Sequence, residues 1–208
     1  MTSNVAPRRP SGGNQLRADR TRALVIDETV RCVLEEGFAA ASAKRITERL
    51  GVTWGVIQYH FGDRDGMLMA VVDQGVGDLE SSLADLRSRL PSVAGRDRIE
   101  LVVNSVAQAF LGPTSVAALE ILLATRIGRS QDDRKYLANA MPMLTDLGRL
   151  VAEGLERDRA DMLGNLIWTT LSGAMLANLA MEGPVDMSRE LRALTDVIAV
   201  YVEQRATN

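Results

Sequence analysis

A single cysteine, Cys32, and a single histidine, His60, carry all the thiol and imidazole chemistry in these 208 residues. One cysteine excludes an intrachain disulfide. One histidine excludes His-rich metal sites and most His-paired nucleophiles within one chain. There is no Walker loop, no Gly-rich dinucleotide fingerprint and no GxSxG element. The carboxylate pair Asp132-Asp133 reads as two solvated loop acids. No metal site and no cofactor are expected, and an enzyme is the disfavoured reading. Aromatic residues make up only 4%, which argues against a stacked cage for a planar ligand. No apolar run reaches the roughly 18 residues of a membrane span. The richest stretch, Leu163 to Met181, is broken by Asn165, Thr169, Thr170, Ser172, Gly173 and Asn178. The opening residues MTSNVAPRRPSGGNQ lack the apolar core of a signal peptide. With one cysteine and no such signal, a reducing cytoplasm is the expected home, away from membranes.

What is present is ordinary globular material, 46% apolar and 25% charged. Lysine occurs only at 44 and 135, so the basic residues are almost all arginine. The net charge is −3, but it is unevenly spread: residues 1–65 hold 10 basic and 8 acidic residues, the rest 14 and 19. A mildly basic N-terminal part permits contact with nucleic acid, which needs a local basic surface rather than a basic chain.

Every segment that shows periodicity shows a helical one, which predicts an all-α chain of about nine helices. Residues 1–18, with Pro7, Pro10, Gly12, Gly13 and Arg8-Arg9, are expected to form a disordered basic arm. A helix is expected from about Asp19 to Glu36, with Ala23, Ile26, Val30 and Val33 on its buried face and Gly37 closing it. Phe38 is expected to turn back as a core anchor. Ser42 is a plausible N-cap for a second helix to about Arg49, with Ile46 and Leu50 inward and Gly51 making the turn. Thr53 can cap a third helix to about His60, with Val56 or Ile57 and Phe61 inward. Asp63 can cap a fourth. Later breaks are expected at 91–95, 112–113, 128–131, 157–161 and 183–184.

Two short helices joined by a glycine turn, the second exposing Trp54, Gln58, Tyr59 and His60, have the layout of a helix-turn-helix. Few side chains of so short a helix can reach base edges. The candidates are Trp54, Val56 and Gln58, with Gly55 allowing close backbone approach. Gln58 can pair with adenine N6 and N7, and Val56 offers only apolar contact, for example to a thymine methyl. Trp54 can pack on sugar or a base edge, or be a core residue. Ser42, Lys44, Arg45, Thr53 and Arg64 are candidates for the phosphate backbone, or alternatively ordinary caps and surface charges.

At residues 20–72 the chain resembles the tetracycline-repressor (TetR) family of bacterial transcription regulators. The likeness lies in Glu36-Gly37-Phe38, Ser42, Ile46, Gly51-Val52-Thr53, Gly55, Tyr59-His60-Phe61 and Leu68. Ala41, Trp54 and Gln58 depart from its common residues, which bears on the base contacts rather than the fold. The resemblance implies that residues 19–65 form the helix-turn-helix domain and that residues 66–208 form a helical domain for dimerisation and ligand binding. It also implies that Tyr59 and His60 contact phosphates. Gly75 and Gly77, inside the fourth helix, are either a softened link between the two domains or sites of close packing.

In the second half, the segment 161–181 is apolar nearly all round and must be covered on both sides. Gly173, Ala174 and Ala177 would allow close helix approach. Leu191, Leu194, Ile198 and Tyr201 form a stripe at 3–4 spacing. A symmetric homodimer would cover both surfaces as a four-helix bundle. Phe110, Leu122, Met141, Met143, Trp168 and Met175 could line an apolar cavity, or be plain core. Glu120 and Arg126 are possible polar anchors. The expected function is a sequence-specific regulator that binds double-stranded DNA, a repressor released from a palindromic operator by a small hydrophobic effector. The alternatives are an activator using the same contacts, or a helical ligand-binding or interaction protein without specific DNA binding.

Overall fold

The computed structural model describes residues 11–128, 131, 138, 143, 146–181 and 185–206. All regular structure among them is helical: α1 (Ser11–Glu36), α2 (Ala43–Leu50), α3 (Trp54–Phe61), α4 (Arg64–Arg89), α5 (Gly95–Phe110), α6 (Pro113–Thr125), α7 (Leu147–Val151), α8 (Arg157–Ala180) and α9 (Ser188–Ala206), with a 3-10 turn at Leu90–Ser92. The chain divides into two compact units, with the division in sequence after Ala70.

In the first unit, local chemistry sets the helix ends. The Ser42 hydroxyl accepts the Arg45 backbone N–H at 3.2 Å, an N-cap that satisfies one orphan donor of α2. Gly51 ends α2 at φ 66°, a left-handed conformation in which its N–H returns to the Thr47 carbonyl. The Asp63 carboxylate accepts the Gly66 N–H at 2.8 Å and starts α4. The core gathers Val25, Ile26, Val30, Val33, Ile46, Ile57, Met67 and Leu68, all buried.

The first unit departs from expectation at three points. The first helix begins at Ser11, not near Asp19. Residues 15–20, QLRADR, are mostly good helix formers, and Gln15 Nε2 donates to Asp19 at 3.2 Å. The inward face of α1 is rotated from the expected one: Ala23 is exposed and Val25 takes the place in the core. Phe38 is only half-buried, and it serves as a plate for the Arg64 guanidinium, 4.7 Å from its ring centroid.

In the second unit α5 is the central helix, packed against α6, α7, α8 and α9. Val102, Val103 and Val106 from α5 meet Ile167 and Leu171 from α8 and Ile198 from α9 in one buried cluster. The short α7 lies so close to α8 that a Cβ on Gly148 would fall 1.7 Å from the Ala160 carbonyl oxygen. Pro113 starts α6 at its first turn, where its missing N–H costs nothing. Residues 157–161 were expected to break the chain, but they open α8, with Asp158 in its first turn. The break falls just before them, at Gly154, φ 77°. An acid suits the positive end of a helix, so the charged run starts the helix rather than ending one.

Two glycines of α4 should respond oppositely to alanine. At Gly66 a Cβ would stand 2.1 Å from the Phe61 carbonyl oxygen, so backbone must move. Gly66→Ala should cost about 1–3 kcal/mol. At Gly77 nothing lies within 4 Å, and Gly77→Ala should gain about 0.5–1 kcal/mol from helix propensity alone. Urea melts of both variants check this.

Candidate DNA interface and ligand cavity

The position of α2 on α1 is fixed by charge. Arg49 reaches Glu36 at 2.5 Å and Glu35 at 2.7 Å, and it also bonds Glu28, a buried carboxylate that Arg31 engages as well. One turn earlier, Arg45 grips Glu36 with Nε and Nη2, at 2.9 and 2.8 Å. The hydrogen bonds from Arg45 and then Arg49 hold the Glu36 carboxyl below the usual carboxylate range. Burial, followed by the Glu36 charge, pushes the neighbouring Cys32 thiol up, so this buried residue stays protonated at neutral pH.

Arg45 and Arg64 were expected at a DNA backbone, and both are engaged inside the chain. Arg45 is held by Glu36. Arg64 donates to the carbonyls of Ala41 at 2.9 Å and Phe38 at 3.1 Å, bracing the turn between α1 and α2. Among the other backbone candidates, Ser42 spends its hydroxyl on the α2 cap. Thr53 occupies the cap position of α3 without a side-chain cap bond and is exposed. Lys44 is 86% exposed, 3.9 Å from Glu48.

On α3 the buried side chain is Ile57. With it turned inward, Trp54, Gly55, Gln58 and Tyr59 face outward, while Val56 and His60 are half-buried. Trp54 is 48% exposed and Tyr59 79%, which removes the core reading of Trp54. Large rings stand in solvent on a helix of eight residues, and Trp54 and Gln58, four apart, share a face. The Tyr59 ring meets His60 edge-on at 4.9 Å between centroids. At the far end of the helix, Arg22 lies 5.5 Å from the centroid of the Phe61 ring.

The second unit holds a cavity of about 410 Å³. Its wall brings together five of the six cavity candidates: Phe110, Leu122, Met143, Trp168 and Met175. Met141 lies outside the described residues. The sequence reading missed Val72, Gly75, Val76 and Leu79 from α4, and it also missed Ser172. Gly75 sits where its Cβ would come 3.3 Å from Ala118 Cβ, so it serves close packing between α4 and α6. Glu120 and Arg126 are not on the wall, and Arg126 folds back onto the Leu123 carbonyl at 3.1 Å.

The stripe expected at a dimer contact is covered by this chain itself. Leu194 and Ile198 are buried in this chain's own core, Leu191 and Tyr201 pack against that core, and Ala174 is buried too. The faces left in solvent lie beside them. On α9 they carry Val197 (60% exposed) and Val200 (52%); on α8 they carry Met162, Leu166, Gly173 and Leu176, with Ala177 half-buried at the margin. With the exposed Thr169 between Leu166 and Gly173, these α8 positions recur at spacings of four, three, four and three, the period of a helix–helix seam. Among the described residues, no group of three or more His, Cys, Asp or Glu could hold a metal, and no single helix is long and apolar enough to cross a membrane.

Arg49→Gln should lower the melting temperature at pH 7 more than Arg45→Gln, because Arg49 joins three carboxylates and Arg45 one. Glu36 has a depressed pKa in the folded state, so its contribution is complete above the usual carboxylate range. It is lost as pH falls through the lower folded value. The gap between Arg49→Gln and the parent should therefore narrow on acidification, as thermal melts from pH 7 to pH 3 would measure.

A family model described as "Bacterial regulatory proteins, tetR family" matches residues 25–71. The HTH-type transcriptional regulator BetI of Burkholderia cenocepacia is 26% identical over 182 residues, covering 85% of this chain and 91% of that one. The fatty acid degradation regulator FadR from Bacillus halodurans shares the fold at TM-score 0.65, with 15% identity, covering 86% of this chain and 94% of that one. A putative transcriptional regulator from Saccharomonospora viridis, solved in complex with choline, shares it at 0.63, with 18% identity and coverage of 86% and 96%. With a tetR-family model matched over residues 25–71, a helix-turn-helix in that segment and a wholly helical remainder among the described residues, the chain carries a DNA-binding domain of the tetR type and is a DNA-binding transcriptional regulator.

Proposed function

We propose that this regulator is a cytoplasmic repressor that binds a palindromic operator as a homodimer and leaves it when a hydrophobic effector fills the second-unit cavity. The observation that carries the DNA half is the outward set on α3. Trp54, Gly55, Val56 and Gln58 meet base edges; Gln58 reads adenine, and the apolar members lie against thymine methyls or sugar. Ser42, Lys44, Thr53, Tyr59 and His60 take the phosphate contacts that position the helix without reading sequence. Arg45 and Arg64 support this surface from behind.

The homodimer rests on the exposed apolar faces of α8 and α9, which a second copy would cover as an isologous four-helix contact. Two recognition helices would then address major grooves about 34–36 Å apart. The effector acts through the difference in its affinity for the DNA-competent state and for a state with the wrong spacing. An apolar cavity of this size suits a small organic molecule.

Selection from a random duplex library should enrich a palindrome whose affinity falls steeply with salt. On that site Gln58→Ala should cost about 1–3 kcal/mol and relax the preference at one adenine per half-site. Tyr59→Phe should weaken all sequences alike. Enrichment without palindromy, or a Gln58→Ala variant with unchanged preference, would overturn these assignments.

A further inference from the structure

Ser172 stands apart from the other hydroxyls on its helix. Thr169 and Thr170 donate back to the carbonyls of Asn165 and Leu166, at 2.6 and 2.9 Å, and on α9 Thr195 does the same to Leu191. That bond is the usual resting place of a helical hydroxyl. Ser172 Oγ is buried and has no hydrogen-bond partner, the one such side-chain atom among the described residues. A buried polar group left unpaired is costly, and a binding site is one of the few explanations for keeping it. Ser172 belongs to the cavity wall. The other hydroxyl there, Ser115, is already committed to the Ala109 carbonyl at 2.8 Å.

The described wall is otherwise uncharged. Its members are aliphatic, methionine or glycine, plus Phe110 and Trp168. Those two rings lie 5.6 Å apart between centroids, tilted by 55°. One tilted pair gives a ligand an aromatic side, not the enclosing cage by which quaternary ammonium groups are held. With no carboxylate among the described wall residues, a cation entering the cavity would lose its hydration with only one aromatic pair to offset the loss.

We infer that the cavity takes an uncharged, mostly aliphatic molecule with a single oxygen function, a hydroxyl or carbonyl, which pairs with Ser172 Oγ, and that it rejects quaternary ammonium ligands. This rests on the effector reading of the same cavity. It separates the chain from its choline-bound structural neighbour in ligand charge, at a shared fold. It also gives Ser172 a double signature: the hydroxyl destabilises the empty protein and stabilises the occupied one.

Calorimetric titration of the full chain with 1-octanol and with octyltrimethylammonium tests the charge preference, because the two share an alkyl tail and differ in the head. Octanol should bind at least about tenfold more tightly. In Ser172→Ala, octanol affinity should fall about five- to tenfold, the worth of one hydrogen bond, while the melting temperature without ligand should rise. Equal or tighter binding of the ammonium compound would overturn the neutral-ligand inference and leave the effector cavity standing. Unchanged octanol affinity and unchanged melting in Ser172→Ala would remove Ser172 as the anchor. If neither compound binds and neither alters DNA affinity, the effector reading itself fails.

Discussion

The reading surface of this protein hangs on one guanidinium. Arg49 lies against α1 in contact with Glu28, Glu35 and Glu36, and Arg45 adds a second grip on Glu36. The helix α2 has only two residues, Ala43 and Ile46, fully buried, too little apolar area to hold it in one orientation. The ion cluster supplies direction as well as attraction, because a planar fork meets carboxylates in few geometries. From α2 the tight turn at Gly51 passes that orientation to α3, whose single buried side chain, Ile57, could not set it alone. Glu28 is the buried member, so the cluster is also where the fold is most exposed to loss of a partner.

The parts that were legible in the sequence are those written in local chemistry. The caps at Ser42 and Asp63 and the glycine turn at Gly51 each depend on a few adjacent residues, and they marked the two short helices correctly. The all-helical fold followed from periodicity, and the family from several motif positions at fixed spacing. The first helix was misjudged in its start because Gly12 and Gly13 read as breakers, whereas at a helix start the backbone N–H groups are unpaired in any case.

What was not legible needed knowledge of the facing side. Leu191, Leu194, Ile198 and Tyr201 form a clean stripe, but a stripe shows only that a face is buried, not whether its cover is this chain or another. Here the cover is α5 and its neighbours. The roles of Arg45 and Arg64 were hidden for the same reason: a basic residue beside a reading helix looks free until its partner is placed. A signal for Arg49 was present, since Glu28, Glu35 and Glu36 fall on one side of α1 by sevens and eights and Arg45 and Arg49 are one turn apart. Nothing in the sequence singled out Ser172, because an unpaired hydroxyl is defined by the bond it lacks.

The eight residues of α3, WGVIQYHF, include neither lysine nor arginine. On the DNA reading, the helix that discriminates among sequences brings no lysine or arginine charge to the sequence-blind attraction that any duplex exerts, and adds to it only the Tyr59 and His60 contacts. The rest of that attraction falls to side chains elsewhere, such as Lys44. Search and choice are therefore carried by different side chains. Descendants of this chain could drift to new operators by exchanging Trp54, Val56 or Gln58 while keeping the same residence on random DNA, a division that makes retargeting cheap in evolutionary terms.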